Sequence, residues 1–273
     1  MQDLLKEQFS GFLNTPRLPL ENFNFSYDFF RLTKNPELDS ADIPSPPTMV
    51  LGKRMETFFQ YYVQNFTNEM VIAHNEQIID DKLTVGEIDF LLKNESSSLV
   101  SHVELVYKFY LYDPSLGSRE EDRWIGPNRR DSLVKKLTRL KTRQFPLLFH
   151  PATRPLLDSL GITAEEISQK ICFKASLFLP FLERNNIPSG ISEDAVKGFY
   201  LGLNDFTEKM FPGADFFSPR KPDWPVSPEK NNTWYSFEEI KMQVEKMHKK
   251  QQSPLLWMKT PENEHFRFFV VWW

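Results

Sequence analysis

Two segments, Gly86-Glu87-Ile88-Asp89-Phe90-Leu91-Leu92 and His102-Val103-Glu104-Leu105-Val106-Tyr107-Lys108-Phe109, set charged residues at alternate positions of otherwise apolar runs. A β-strand sends alternate side chains to opposite faces, so this spacing predicts two strands, each with an apolar and a polar face. Ile88, Phe90 and Leu92 fall on one face of the first, and Glu87 and Asp89 on the other. In the second, Val103, Leu105, Tyr107, Phe109 and Leu111 make an almost unbroken apolar face, opposite His102, Glu104 and Lys108. The linker Lys93-Asn94-Glu95-Ser96-Ser97-Ser98 has turn composition, which makes the pair a hairpin. If the loop covers 94–99, Lys93 pairs with Val100 and Asp89 comes opposite Glu104; a two-residue shift keeps the faces but brings Glu87 or His102 into the pairing. Carboxylates that share a face on adjacent strands are oxygen ligands for a divalent cation, and a lysine beside them can orient or stabilise a charged reactant.

Such a hairpin needs a larger body to cover its apolar face. With 273 residues, 40% hydrophobic and 14% aromatic, the chain has enough for a packed core in one elaborated domain or two small ones. A formal charge of -4 argues against a surface coated for nucleic acid but leaves room for one basic patch. Between Arg119 and Arg143 there are nine lysines and arginines against four acidic residues, and that run supplies such a patch. Most charge runs are solvated helix faces; in the functional reading Lys136, Arg139 and Arg143 meet phosphates. The single cysteine, Cys172, excludes an internal disulfide and multi-cysteine zinc sites, and its apolar flanks suggest a buried thiol. The charged first residues and the lack of a long apolar run lead us to expect a cytoplasmic protein without a membrane span.

Elsewhere, residues 1–12 are predicted as a helix, and Phe23, Phe25, Tyr27 and Phe29 alternate with polar residues as in an aromatic-faced strand. Such a stripe packs on a core more often than it stacks nucleobases. Thr48 is the expected cap of a helix in which Leu51, Met55, Phe58, Phe59, Tyr62 and Phe66 face inward, with Glu56 at the margin of that face. A turn near His74-Asn75 and a strand at 76–79 precede the hairpin. Asp131 to Gln144 is predicted as one helix with Leu133, Leu137 and Leu140 inward, 151–160 as a further helix, and 171–179 as a buried strand. Prolines at 219, 222, 225 and 228 have polyproline spacing, but a rigid loop is the simpler reading. A helix over 236–249 and strands at 255–258 and 266–272 end the chain.

Taken in order, these elements resemble the core of the PD-(D/E)XK nuclease superfamily, an α/β fold in which helices flank a central mixed sheet. At a closer level, Leu51-Gly52-Lys53-Arg54-Met55-Glu56, Gly86 to Leu91, Glu104 to Leu111, Trp124-Ile125-Gly126-Pro127-Asn128 and Asp131 to Gln144 resemble the signature blocks of the bacterial domain of unknown function 1853 family. The resemblance implies a restriction-endonuclease-like core over 48–180, an N-terminal extension over 1–47 and a C-terminal elaboration over 181–273. It implies a nuclease cleaving DNA or RNA with Mg²⁺, or Mn²⁺ in its place, Asp89 and Glu104 binding the metal and Glu56 holding a metal-bound water or completing the ligand shell. Lys108 would position the attacking water and stabilise the transition state, and Gln144 would hold the lysine or a phosphate. The superfamily places its lysine two residues after the glutamate; here that position is Val106 and the lysine stands at 108. The alternative is a catalytically inactive descendant that binds nucleic acid or protein. In the plainest structural reading, Lys108 pairs with Glu104 or Glu87, Glu56 is a helix-surface carboxylate near Lys53 or Gln60, and His102 is a hydrogen-bonded core residue.

Overall fold

The computed structural model describes residues 2–33, 36, 43–47 and 49–273. In chain order its elements are α1 (Gln2–Asn14), β1 (Asp28–Phe29), α2 (Leu51–Phe66), β2 (Glu69–Asp80), β3 (Leu83–Asn94), β4 (Val100–Tyr112), β5 (Trp124–Ile125), α3 (Leu133–Arg139), α4 (Arg154–Leu160), β6 (Ile167–Pro180), β7 (Val196–Gly202), β8 (Asp215–Phe217), α5 (Phe237–His248), β9 (Leu255–Lys259) and β10 (His265–Val271). The ten strands among the described residues form one mixed sheet in the order β2-β3-β4-β6-β7-β10-β9-β8, with β1 along β6 and β5 along β4. The expected α/β class with a central mixed sheet is therefore the observed one. Among the described residues no helix is long and apolar enough to cross a membrane.

Two compact units divide the chain: one holds 24–107 and 135–173, the other 1–23, 108–134 and 174–273. In the unit of residues 24–107 and 135–173, β2, β3 and β4 form an antiparallel meander. The β2–β3 turn is Asp81-Lys82, both with positive φ (43° and 67°), the twist that a two-residue hairpin needs to match its strands. Ile78, Ile88, Leu91, Val100, Leu147, Leu148 and Ile167 pack into the core of this unit. In the other unit β10 pairs with β7 in parallel and with β9 antiparallel. Its core is aromatic, with Phe206, Phe211, Phe216, Phe237 and Phe268 packed against Ile240, Val244 and Leu256.

Several local expectations change. The aromatic stripe at 23–29 is not a strand over its length: Leu20–Phe23 is a 3-10 turn, Asn24 is left-handed (φ 49°), and only Asp28–Phe29 pairs. A left-handed residue breaks the twofold alternation, so Phe25 is buried and Tyr27 stacks on Phe145 with ring centroids 3.8 Å apart. The turn signal at His74-Asn75 is a real backbone feature, Asn75 having φ 55°, but strand pairing continues through it and β2 reaches back to Glu69. The helix predicted over 131–144 is interrupted. After α3, Leu140–Gln144 forms a π turn in which the Phe145 N–H reaches the Leu140 carbonyl. The spaced prolines end in separate 3-10 turns at Lys221–Asp223 and Pro228–Lys230. Thr48 lies outside the described residues; α2 begins after Val50 without a side-chain cap. Both β7 and the three-residue β8 escape the sequence reading, because Val196–Gly202 contains Lys197 and two glycines and Asp215–Phe217 is too short for a period to register.

Candidate functional site

The hairpin has the first of the two registers considered. Lys93 pairs with Val100, and the ladder runs through Leu92↔Ser101 and Leu91↔His102 to Phe90↔Val103. Asn94 sets this register from the turn, its Oδ1 accepting the N–H groups of Ser96 and Ser97. The next facing positions are Asp89 and Glu104, and there the backbone ladder stops. The Leu105 N–H donates instead to Asp89 Oδ2 at 3.0 Å. Both carboxylates are buried, Asp89 at 8% exposure and Glu104 at 0%.

Glu104 is held from both sides. His102 Nε2 lies 3.0 Å from its Oε1, and the Gln144 amide Nε2 donates to its Oε2. Gln169 Nε2 is 3.2 Å from His102 Nδ1 and 2.7 Å from the Phe145 carbonyl, which it also serves as donor. An amide nitrogen only donates, so Nδ1 accepts and the imidazole proton sits on Nε2, facing Glu104. Gln144 turns its own carbonyl Oε1 to Lys136 Nζ at 2.8 Å. A continuous chain, Lys136–Gln144–Glu104–His102–Gln169, therefore runs from helix α3 through the π turn to β4 and β6. The extra residue of a π turn changes where later side chains point, and such turns recur at functional sites.

Asp89 has a less comfortable position. Burial, then the charge of Glu104, push its carboxyl well above the usual carboxylate range; Glu56 adds to the rise, while the Leu105 N–H and Lys136 oppose it. No described residue donates to its second oxygen, Oδ1. Glu56 stands on α2 with its carboxylate 3.0 Å from the Lys53 ammonium. Lys53 also bonds Glu87 at 2.5 Å and Asn75 Oδ1 at 3.3 Å. Burial alone would lower Lys53, but Glu87 and Glu56 outweigh it and raise the ammonium above its ordinary value. The plain expectation of a Glu56–Lys53 contact is thus met, and Glu87 joins it.

Lys108 belongs to the unit of residues 1–23, 108–134 and 174–273, and its ammonium pairs with Asp131 at 2.5 Å. The ion pair expected with Glu104 or Glu87 is replaced by this one. Lys136, expected only as a phosphate contact, is the lysine whose charge acts on Asp89. The basic run also sorts itself. Arg119 and Arg123 pair with Glu121, Asp122 and Glu120, and Arg129 pairs with Asp113. Arg139 and Arg143 are exposed and have no ion-pair partner among the described residues.

The donor set suits a hard cation through few protein ligands. Among the described residues no three His, Cys, Asp or Glu side chains form a group placed to hold one ion. Mg²⁺ usually takes only one or two carboxylates and keeps several waters, so the Asp89–Glu104 pair, with an open Oδ1, is enough to fit it. What sequence alone did not indicate is the part of His102 and Gln169 in fixing Glu104; the signal was His102 on the polar face of β4. Replacing His102 with Phe removes the Glu104 Oε1 partner, and we expect a loss of about 1–3 kcal/mol in urea unfolding, the penalty of an unpaired buried polar group.

Compared with known proteins, residues 28–271 match the family model described as Domain of unknown function (DUF1853), and the chain belongs to that family. No curated protein and no solved structure matches it.

Proposed function

We propose that this member of the DUF1853 family is a metal-dependent phosphodiesterase of PD-(D/E)XK type, cleaving DNA or RNA with Mg²⁺ or Mn²⁺. One observation carries the reading: two buried carboxylates at adjoining positions of neighbouring strands, one of them pushed away from ionisation by burial and then by the charge of the other. Two such groups are both ionised at low energy only when a cation joins them. Asp89 and Glu104 would hold the metal, and Glu56 on α2, whose charge also acts on Asp89, would hold a metal-bound water. When bound, the metal supplies a water acidic enough to attack phosphorus and neutralises charge on the phosphoryl oxygens.

The chain's own residues do the rest. Lys136, rather than Lys108, places a fixed positive charge beside Asp89 where negative charge develops on the phosphate. Gln144 keeps that ammonium in place through its carbonyl while its amide orients Glu104. The Nε2–H of His102 holds the other oxygen of Glu104. Such outer partners are worth about 10–100-fold in metal affinity. Arg139 and Arg143, exposed on the same stretch as Lys136, would track the phosphate backbone. Replacing both with Ala is expected to weaken nucleic-acid binding and to lower the slope of log K against log salt by roughly 1.5, read from fluorescence anisotropy over a salt series.

The second reading, a non-catalytic nucleic-acid binder, is favoured by the Lys53 ammonium already bound to Glu56. Isothermal titration of Mg²⁺ and a cleavage assay on labelled DNA and RNA separate the two. The catalytic reading expects submillimolar Mg²⁺ binding that Glu104→Ala abolishes, together with metal-dependent cleavage. Binding of nucleic acid with no cleavage in Mg²⁺ or Mn²⁺ would leave the second reading standing alone.

A further inference from the structure

A second polar site lies within the unit of residues 1–23, 108–134 and 174–273. Strand β7 runs parallel to β6 and β10. Between the pairs Leu177↔Val196 and Phe178↔Gly198, β7 carries one residue more than β6, and that residue is Lys197. A bulge leaves its extra residue outside the ladder and re-aims its side chain. Gly198 follows with φ 159°, and a Cβ there would stand 1.9 Å from the Arg267 carbonyl oxygen. Only glycine lets β10 come this close. The result is that Lys197 and Arg267, on neighbouring strands, line one cavity of about 140 Å³ together with Ser10, Ser176 and Ser227. That is far above the ~10–15 Å³ that a single water requires.

Two of these groups, Lys197 and Ser176, are incomplete. The Lys197 ammonium makes no hydrogen bond or ion pair with any described residue. Burial lowers its pKa first and the Arg267 charge lowers it further, against a smaller pull from Asp194. Ser176 is 3% exposed, and its hydroxyl has no partner among the described residues. Glu7, the one acid among the described residues that line the cavity, lies 3.8 Å from the Lys230 ammonium. The Lys197 ammonium and the Ser176 hydroxyl, facing one cavity beside the Arg267 charge, are completed by a single anion with several acceptor oxygens pointing different ways.

We propose that this cavity binds a phosphate group, free or as a monoester, with Lys197 and Arg267 as its charged ligands and the Ser176 hydroxyl as a donor. The site is independent of the carboxylate pair and does not rest on the phosphodiesterase reading. Its test is isothermal titration of the full-length chain with inorganic phosphate and, separately, with adenosine 5′-monophosphate. The buffer contains a chelator and no divalent metal, and sodium chloride holds the ionic strength constant. We expect binding by the wild type, at least tenfold weaker binding by Lys197→Met, a several-fold loss in Ser176→Ala, and unchanged binding in Asp89→Asn. Phosphate should also raise the melting temperature of the wild type but not of Lys197→Met, which without phosphate should melt no lower than the wild type because a repulsive pair is gone. Binding of the monoester alone, with the same dependence on Lys197, assigns the group to a phosphorylated ligand. If neither compound binds the wild type at millimolar concentration, or if Lys197→Met binds as tightly, the proposal is overturned.

Discussion

Asp89→Asn is expected to move function and stability in opposite directions. Mg²⁺-dependent cleavage should fall by a factor of about 10³ or more, since a neutral amide is a poor ligand for a hard cation and half of the carboxylate pair is gone. The metal-free variant should nevertheless melt higher than the wild type at neutral pH. The sign follows from the direction of the shift. Burial and Glu104 raise the folded-state pKa of Asp89, so the fold disfavours its ionised form. That penalty is absent at pH below the ordinary carboxylate value, grows as pH rises toward the folded value, and is complete above it. An asparagine carries no such charge, and its Oδ1 can still accept the Leu105 N–H. Each kcal/mol recovered shifts the melting temperature by about 2–4 °C in a chain of this size. Calorimetry in a chelating buffer and a cleavage assay on one preparation measure both effects. A variant that melts lower in chelator would remove the premise that the two carboxylates strain each other, and one that still cleaves would remove Asp89 from the site.

Lys136→Met is expected to lower kcat by about 10²–10³-fold while leaving Mg²⁺ affinity within the 10–100-fold range of outer partners. The reason lies in what the ammonium touches. It donates to Gln144, which donates to Glu104, and its charge stabilises ionised Asp89. Methionine keeps the length of the stem but loses the charge and the donor. Lys108→Met is the control. Its half-exposed pair with Asp131 contributes about 0–1 kcal/mol to stability, and turnover should stay within about twofold of the wild type. Single-turnover cleavage by the two variants decides between the lysines: a large loss at 108 with none at 136 would restore the arrangement that the superfamily spacing implies.

How far the sequence reaches can be followed along the site itself. Period-two alternation assigned Asp89 and Glu104 to their faces, a local signal carried by contiguous residues, and a loop over 94–99 gives the register in which they meet, the one observed. The register stayed open between two choices because a shift of two residues preserves every face. The predicted helix over 131–144 has the right apolar spacing, yet no local pattern marks the π turn that carries Gln144 toward Glu104, 40 residues away in sequence. The aromatic stripe failed for a related reason: one left-handed backbone at Asn24 cancels an alternation that composition alone supports.

From its sequence alone the chain determined the hairpin and the shared face of the two carboxylates, which follow from side-chain periodicity and turn composition within short windows, while the α/β class came through the resemblance of the ordered elements to a known core. Only the tertiary structure decided which cation meets which acid. Local sequence puts Lys108 on a strand and Lys136 on a helix, but neither placement says which acid each of them meets. Their partners, Asp131 for one and Gln144 with the Asp89–Glu104 pair for the other, are chosen by how separate elements pack. Electrostatic energy depends on distances in space, and for charges on different elements those distances are set by packing, which no local spacing in the chain encodes.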